Sequence, residues 1–250
     1  HVLCHGFKPL LEVLRYANVN PSRHHTIHVV SAERNAGEYA LNCLNSVYRQ
    51  EYDRTRIKHV FIDDASDEQT DDLIRRWLET HSGHRVEYIR RNRRSGGCEN
   101  NLFGFRMAPA GSIILELNGD DWLHDSAVFN FLNKVYSDPD IWITYNTPIY
   151  SSGIISMKYK PFPSGIIKSN RFRSIKKWRS GHLHTFRQEL FNHLDEKDLI
   201  DPLTGEYWAN ADDQAFYLPL FEMAGQHCLH TYRINYVYNI TPNAEQNIDV

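Results

Sequence analysis

The feature that most constrains the fold of this chain is a regular alternation of strand-like and helix-like stretches over its first half. Four short runs are rich in β-branched and apolar residues: 26–31, 58–62, 85–89 and 112–117. Three stretches between them carry apolar side chains at helical spacing: 38–50, 67–78 and 99–107. Strands that alternate with helices are typical of βαβ units, so the sequence predicts an α/β fold with a mostly parallel sheet.

The second half of the chain has a weaker pattern. The predicted elements there are a strand over 141–145, a long loop over 151–181 with up to two short strands, a helix over 185–194, a helix that ends at Met223 and two C-terminal strands. A short helix is also expected near the N-terminus, over 9–16. We therefore divide the chain into an N-terminal extension (1–25), a first half (26–145) and a second half (146–250).

Composition excludes several classes of protein. With 41% hydrophobic and 24% charged residues and a mean hydropathy of −0.55, the chain is typical of a soluble globular protein and contains no predicted transmembrane segment. The net charge of −3 argues against a nucleic-acid-binding protein, which is usually basic. Four cysteines without metal-like spacing indicate reduced thiols, and we expect a cytoplasmic protein that could associate peripherally with a membrane.

Charge is unevenly distributed along the chain. Between Ser151 and Gln188 there are nine Lys or Arg residues and no Asp or Glu. This basic segment is either an ordinary solvated loop or a lid over an anionic ligand. Two histidines, His182 and His184, come directly after the loop 151–181, and we expect one of them to face a binding cleft.

Polar side chains follow the predicted strands where a parallel sheet binds its ligands, at the carboxyl ends. The second strand ends in Asp63 and Asp64, and the fourth runs through an Asn-Gly turn into Asp120 and Asp121. Adjacent carboxylates are costly to hold together without a positive partner, and Mg²⁺ or Mn²⁺ would supply one. The alternative for Asp120 and Asp121 is a solvated turn with an acidic helix cap.

Three further motifs have both a functional and a structural explanation. The Asp63-Asp64 turn could bind a base or a ribose, or it could serve helix capping, with Ser66 and Gln69 as a capping box. The glycine pair at 96–97 could approach a ligand closely, or it could simply form a turn. Asp212 and Asp213 could supply a general base, or they could complement the dipole of a helix N-terminus.

Taken together, these motifs resemble the family 2 glycosyltransferases with the GT-A fold, over roughly residues 26–225. HVFIDDASDEQT is similar to the family's VDDGSxDxT motif, with Ala65 in place of Gly. SIILELNGDDWL resembles the strand that carries the DxDD metal motif, with Asn118 in place of the first Asp. ANADDQAF resembles the ED motif, and GHLHTFRQELF resembles an HLxTFR segment found in part of the family.

The resemblance implies roles for individual residues. Asp120 and Asp121 would bind a Mn²⁺ or Mg²⁺ ion, and Asp213, supported by Asp212, would be the catalytic base. The implied nucleotide-binding residues are Ser31, Glu33, Asn35, Asp63, Asp64, Arg94, Gly97, Asn101 and Asp120. The residues implied for the diphosphate or the acceptor are Arg179, His182, His184 and Trp208.

The resemblance also implies a fold and a function. The fold would be a Rossmann-like central sheet flanked by helices, with a smaller acceptor-binding C-terminal part. The reaction would be transfer, with inversion, of a sugar from a nucleotide-sugar donor, UDP-linked, to a hydroxyl of a glycan or lipid-linked acceptor in polysaccharide or glycoconjugate biosynthesis. Two alternatives stay open: a non-catalytic nucleotide-sugar or carbohydrate-binding module, and a sugar-phosphate nucleotidyltransferase, whose Gly-rich loop after the first strand this chain lacks.

Overall fold

The central feature of the fold is a seven-stranded sheet. The structure, a computed structural model, describes residues 15–16, 18–83 and 85–240. The strands of the large sheet lie in the order β3-β2-β1-β4-β8-β6-β9. They are β1 (Ile27–Glu33), β2 (Ile57–Asp63), β3 (Val86–Arg90), β4 (Ile113–Glu116), β6 (Ile143–Asn146), β8 (Gly181–Arg187) and β9 (Cys228–Thr231). A second sheet contains β5 (Trp122–Leu123), β10 (Tyr236–Tyr238) and β7 (Ile149–Tyr150), in that order.

Helices cover both faces of the large sheet. Those described are Tyr39–Tyr48, Glu68–Thr80, Gly97–Arg106, Val128–Val135, Ser164–Ser169, Gln188–Phe191 and Asp212–Ala224. Apolar side chains from the first, second and fourth of these helices join one core cluster, and those of Gly97–Arg106 and Asp212–Ala224 join the other. Strand β4 is buried along its whole length because it lies between these two layers.

The sheet is mostly parallel, as the alternation of elements predicts. Strand β1 pairs in parallel with β2 and with β4, and β2 pairs in parallel with β3. Strand β8 runs antiparallel to both of its neighbours, β4 and β6. The carboxyl ends of β1, β2 and β4 therefore lie along one edge of the sheet.

The predicted helix over 185–194 is wrong in its first part. Residues 181–187 form β8, and only Gln188–Phe191 is helical. Thr185 and Phe186 lie between β4 and β6 and are completely buried. Burial on both faces removes the polar and apolar alternation that marks a strand in a sequence, so the apolar positions resemble a helix.

Other expectations for the local structure need smaller corrections. The helix Glu68–Thr80 is capped by Asp67, whose carboxylate accepts a hydrogen bond from the Thr70 N–H (2.8 Å), and not by the predicted box at Ser66. Instead of two short strands, the basic segment holds a helix (Ser164–Ser169), a 3-10 helix and one bridge from Ile155 to Ile149.

Both predicted halves of the chain contribute strands to the large sheet, because β6, β8 and β9 come from the second half. The division at residue 145 stays a prediction. Residues 9–14 of the expected N-terminal helix lie outside the described residues. Among the helices that are described, none has the length and apolar character needed to cross a membrane.

Gly104 sets how closely the helix Gly97–Arg106 approaches β1. A Cβ atom at this position would lie 2.3 Å from Val30 Cγ1, and Val30 is completely buried. We expect Gly104→Ala to lower the free energy of unfolding by about 1–3 kcal/mol, because the core cannot move aside. Urea denaturation measures this change. Gly165→Ala, at a helical glycine with open space around it, is the matched control and should not destabilise the chain. Equal effects at both positions would contradict the prediction.

His230 should make the fold sensitive to mild acid. Burial lowers the pKa of its imidazole from 6.5 to about 4, while its Nε2 lies 3.1 Å from Thr147 Oγ1. The unfolded chain takes up this proton near pH 6.5 and the folded chain only near pH 4, so stability falls as the pH drops through that window. His230→Gln keeps a polar group but does not titrate. Between pH 7 and pH 4 the wild type should lose about 3 kcal/mol relative to this variant, measured by urea denaturation. A constant difference between the two would contradict the prediction.

Candidate functional site

One cavity collects most of the ionisable residues at the carboxyl edge of the sheet. Its volume is about 260 Å³, and seven of its lining residues are among those predicted: Glu33, Asp64, Arg94, Gly97, Asn101, Asp212 and Asp213. It brings together five carboxyl groups. A wider depression of about 530 Å³ beside residues 122–126 is lined by a single carboxyl group, that of Asp125. We therefore take the smaller cavity, called the acidic cavity below, as the candidate active site.

Glu33 and Asp120 form a close pair of carboxyl groups beside the acidic cavity. Glu33 ends β1 and its Oε1 accepts a hydrogen bond from the Arg34 N–H (2.8 Å). Burial, followed by the charge of Asp120, raises the pKa of Glu33 to about 7, and burial also raises the pKa of Asp120. Two neighbouring carboxyl groups with raised pKa values would ionise together more readily beside a cation. Their oxygens are the ligands that a hard divalent cation prefers, so the pair fits Mg²⁺ or Mn²⁺.

Asp121, which follows β4 and precedes β5, accepts hydrogen bonds from β10 and from the residues after it. Its Oδ2 accepts a hydrogen bond from the Tyr236 hydroxyl (2.5 Å), and its Oδ1 accepts one from the Asn239 N–H (2.6 Å). Burial and the charge of Asp120 raise the pKa of Asp121 well above its usual range. The metal role predicted for Asp121 stays a prediction, and the geometry gives this residue a structural role through β10.

Asp64 closes the loop that precedes the helix Gly97–Arg106. Its two carboxylate oxygens accept hydrogen bonds from the N–H groups of Ser95 (2.6 Å) and Gly96 (2.9 Å). Burial alone would raise the pKa of Asp64, but hydrogen bonds from Asn100 and from this loop outweigh it and lower the pKa. The loop is thereby held against the acidic cavity with its glycines toward the ligand space.

Gly97 lies close to the opposite wall of the acidic cavity. A Cβ atom at this position would lie 2.6 Å from Asp212 Oδ2. Asp212 and Asp213 begin the helix Asp212–Ala224, and Ala211 before them has a positive φ of 59°. Burial and the charge of Asp213 raise the pKa of Asp212. The Asp213 side chain is 35% exposed, so it can meet a ligand in the acidic cavity.

Four residues predicted to bind the nucleotide do not line the acidic cavity: Asp120, which lies beside it, and Ser31, Asp63 and Asn35. Ser31 is buried in the core, with its Oγ 3.0 Å from His59 Nε2. Asp63 is buried and accepts hydrogen bonds from the Ser66 N–H (2.9 Å) and the Tyr88 hydroxyl (3.1 Å).

Asn35 joins two neighbouring loops through its left-handed backbone, with φ of 58°. It accepts a hydrogen bond from the Asp67 N–H (2.9 Å) and donates one to Ser66 Oγ (2.8 Å). In this structure Ser31, Asp63 and Asn35 therefore shape the edge of the sheet from behind the ligand space.

The two histidines of β8 lie on the same side of the strand and approach Glu116. His182 borders the acidic cavity, with its Nε2 3.9 Å from Asp213 Oδ1. His184 is completely buried beneath it and stacks on the Tyr217 ring at 3.7 Å between centroids. The expectation that only one of the two faces the cleft side was based on their separation in the sequence, but residues two apart in a strand share a face, and both approach Glu116.

Arg179 and Trp208 lie outside the acidic cavity. Arg179 Nε donates a hydrogen bond to the Pro161 carbonyl (3.2 Å), so it ties the basic segment together. Trp208 lines a separate depression with Arg173 and Ala211. Their predicted contacts with the diphosphate or the acceptor stay predictions.

Glu116 is a residue of the acidic cavity that sequence reasoning missed. It ends β4, is 4% exposed, and accepts hydrogen bonds from the Asn101 amide (2.6 Å) and the Tyr217 hydroxyl. Burial and the charge of Asp213 raise the pKa of Glu116 well above its usual range. A carboxylate inside an otherwise apolar strand was the available signal, because Glu is rarely buried without a partner.

Comparison with known proteins places the chain in a well-populated group. The family model described as glycosyl transferase family 2 matches residues 29–195. Among proteins with curated descriptions, none matches.

Several solved structures share the fold. A mannosyltransferase from Pyrobaculum calidifontis, PcManGT, in complex with GDP-Man and Mn²⁺, is 19% identical with a TM-score of 0.63, over 96% of this chain and 67% of that one. TarS of S. aureus (residues 1–349) with UDP-GlcNAc is 16% identical with a TM-score of 0.62, over 86% and 59%. GalNAc-T7 with UDP, GalNAc and Mn²⁺ is 17% identical with a TM-score of 0.57, over 88% and 44%. This chain thus spans about two thirds or less of these proteins, and at such identities the likeness shows the GT-A fold.

The different surroundings of Asp120 and Asp121 predict opposite effects on stability. Asp121→Ala leaves a buried hydroxyl and a buried N–H without their acceptor and should lower the free energy of unfolding by about 1–3 kcal/mol. Asp120→Ala removes repulsion on Glu33 and should leave stability unchanged or raise it. Urea denaturation at pH 7 with a chelator present compares the two variants. Destabilisation of similar size in both would show that this division of roles is wrong.

Proposed function

Because the chain belongs to glycosyl transferase family 2, we propose that it transfers a sugar from a nucleoside-diphosphate sugar, UDP-linked, to a hydroxyl of a glycan or lipid-linked acceptor, as in polysaccharide or glycoconjugate biosynthesis. One observation carries the proposal. The acidic cavity sets Asp213, at the start of a helix, against the strand-end carboxyl group of Glu33 and the glycine loop at 96–97. A base, a cation site and an anion site thus surround a single ligand space.

The cation would be held by Asp120, with Glu33 beside it. The Glu33 and Asp120 carboxyl groups are buried together, which favours a divalent cation between them over two negative charges. Mg²⁺ or Mn²⁺ bound there would neutralise the charge that develops on the leaving diphosphate. PcManGT and GalNAc-T7 contain Mn²⁺ in their complexes, which supports the same choice of ion here.

The diphosphate would lie against the loop before the helix Gly97–Arg106. Gly96 and Gly97 line the acidic cavity without side chains of their own, and the Gly96 N–H already donates to Asp64, so a diphosphate would approach the N–H groups that follow it at this helix N-terminus. Such N–H groups and the helix dipole favour an anion, and Arg94 on the same wall adds a positive charge. Asp64 contributes by holding this loop in place.

Asp213 would take the proton from the acceptor hydroxyl as that hydroxyl attacks the anomeric carbon. The Asp213 carboxylate is partly exposed and lines the acidic cavity, whereas Asp212 packs against Gly97 and would support the position of the loop. A base that acts directly on the acceptor gives a single displacement. The sugar would therefore be transferred with inversion at its anomeric carbon.

The acceptor would approach from the side of the basic segment. Residues 151–181 carry eight Lys or Arg residues and no carboxylate, which suits a phosphorylated or otherwise anionic acceptor, or an acceptor at a membrane surface. His182 follows this segment in the chain, and its Nε2 lies 3.9 Å from Asp213 Oδ1, so it would help to position the base.

Substitution of Asp213 tests the proposal. Asp213→Asn should reduce sugar transfer by about 10²–10⁴-fold, because the acceptor hydroxyl loses its base, while the donor affinity stays within about threefold. Release of nucleoside diphosphate from a panel of UDP and GDP sugars measures turnover, and calorimetry measures donor binding.

Asp140→Asn is the matched control, since the Asp140 side chain is 83% exposed and lies outside the acidic cavity. It should transfer sugar at the wild-type rate. If Asp213→Asn keeps full turnover, Asp213 is not the base. If the wild type binds a donor but transfers nothing to any acceptor, the chain is a binding module on the same fold.

A further inference from the structure

Beneath the acidic cavity, three buried side chains point at a common centre. Glu116 of β4 lies directly opposite His184 of β8 in the antiparallel register, and His182 is two residues away on the same face. Glu116 Oε2 lies 3.9 Å from His182 Nδ1 and 3.8 Å from His184 Nδ1. One nitrogen or oxygen from each residue lies within 4.8 Å of the other two. We call these three residues the buried triad.

The two imidazole nitrogens that face Glu116 have no hydrogen-bond partner in the described part of the chain. Distances of 3.8–3.9 Å are too long for hydrogen bonds to Glu116, yet His182 and His184 are 5% exposed or less. A buried polar atom without a partner is costly and rare in a folded protein. In the buried triad, two such atoms converge on one carboxylate oxygen.

The spacing of these atoms is close to that of ligands around one metal ion. Ligands at 2.0–2.1 Å from a tetrahedral Zn²⁺ are ~3.4 Å apart, so each of the two distances to Glu116 Oε2 would shorten by about half an ångström. The separation between the two imidazole ligand atoms, which is at most 4.8 Å, would have to reach the same spacing. We propose that the buried triad binds a divalent transition ion of the Zn²⁺ type, through His182 Nδ1, His184 Nδ1 and Glu116 Oε2. Two imidazoles and one carboxylate suit such an ion better than Mg²⁺, which prefers oxygen ligands.

Further hydrogen bonds around the buried triad support this assignment. His184 Nε2 lies 2.7 Å from Ser180 Oγ, which leaves Nδ1 directed at the centre. Glu116 accepts hydrogen bonds from Asn101 and Tyr217, whereas His182 Nε2 lies 3.9 Å from Asp213 Oδ1, beyond hydrogen-bond distance. Metal-binding histidines typically carry a partner such as Ser180 on their second nitrogen, because it fixes the orientation of the ring.

The ion would join β4, β8 and the helix that carries the proposed base. Tyr217 belongs to the helix Asp212–Ala224, whose first turn holds Asp213. The buried triad shares no residue with the cation site proposed at Asp120 and Glu33, although His182 is close enough to Asp120 to oppose the rise that burial causes in its pKa. Its role is to position Asp213 through His182, and it does not depend on which sugar the protein transfers.

Binding of Co²⁺, a coloured substitute for Zn²⁺, tests the proposal directly. The chelator-treated wild type should take up as many as two Co²⁺ ions and Asp120→Ala one, with visible d–d absorption in both, and Zn²⁺ should displace the ion that Asp120→Ala binds. Asp120→Ala serves to remove the oxygen-ligand site from the count. Glu116→Gln should weaken this binding by at least tenfold, whereas His230→Gln, which changes a buried histidine outside the buried triad, should not.

X-ray absorption at the cobalt edge of the wild type adds a readout that needs no variant. Scattering from two imidazoles in the first shell is the expected result. The proposal is overturned if the wild type binds no Co²⁺, if imidazole scattering is absent, or if Glu116→Gln binds as tightly as the wild type. A proton shared within the buried triad would then explain its geometry. Sugar transfer is not measured in this experiment, so the proposed glycosyltransferase activity can fail or hold independently of it.

Discussion

Repulsion between buried carboxyl groups is the constraint on which the rest of this structure depends. The parallel strands β1 and β4 and the turn that follows β4 deliver Glu33, Glu116 and Asp120 to one edge of the sheet. Burial raises the pKa of each of these groups. Such an arrangement is stable where hydrogen-bond donors or a cation offset its cost. Asn101 and Tyr217 are the donors at Glu116, and the proposed cation would act at Glu33 and Asp120.

The second half of the chain supplies several of the hydrogen-bond donors to these acidic side chains. Tyr217 donates to Glu116, and Tyr236 donates to Asp121. Strand β8 enters the sheet beside β4 and brings His182 and His184 to the same carboxylate. The part of the protein that carries the proposed base is thus fastened to the part that carries the proposed cation site by contacts with acidic side chains.

Two positions are left without full compensation from the protein. The charges of Glu33 and Asp120 repel each other. The buried triad contains two imidazole nitrogens without a hydrogen-bond partner in the described part of the chain. The first has oxygen ligands and lies beside the acidic cavity, which suits a Mg²⁺ or Mn²⁺ ion that also meets a diphosphate. The second is enclosed and rich in nitrogen, which suits a fixed transition ion.

Sequence patterns predicted the parallel part of the sheet and most of the acidic cavity, because strand ends and helix starts leave local signals. The apolar run of β4 and the acidic turns at 120–121 and 212–213 are such signals. No local signal in the sequence gives the direction of a side chain at a strand end. Asp63 and Asp64 are neighbours, yet only Asp64 lines the acidic cavity. Strand β8 was missed for a related reason, since its burial depends on β4 and β6, which are distant in sequence. A role for Glu116 could not be predicted from its neighbours in the sequence, because His182 and His184 approach it from the adjacent strand.

The central claim is that the strand-end carboxyl groups accept a cation that in turn holds a nucleoside diphosphate. Calorimetric titration of the protein with UDP and GDP sugars, with Mn²⁺ and then with a chelator, measures this dependence most directly. The account predicts binding of at least one donor that is lost or weakened at least tenfold when Mn²⁺ is removed. Donor binding of equal strength with and without Mn²⁺, or binding of no donor under either condition, would contradict it.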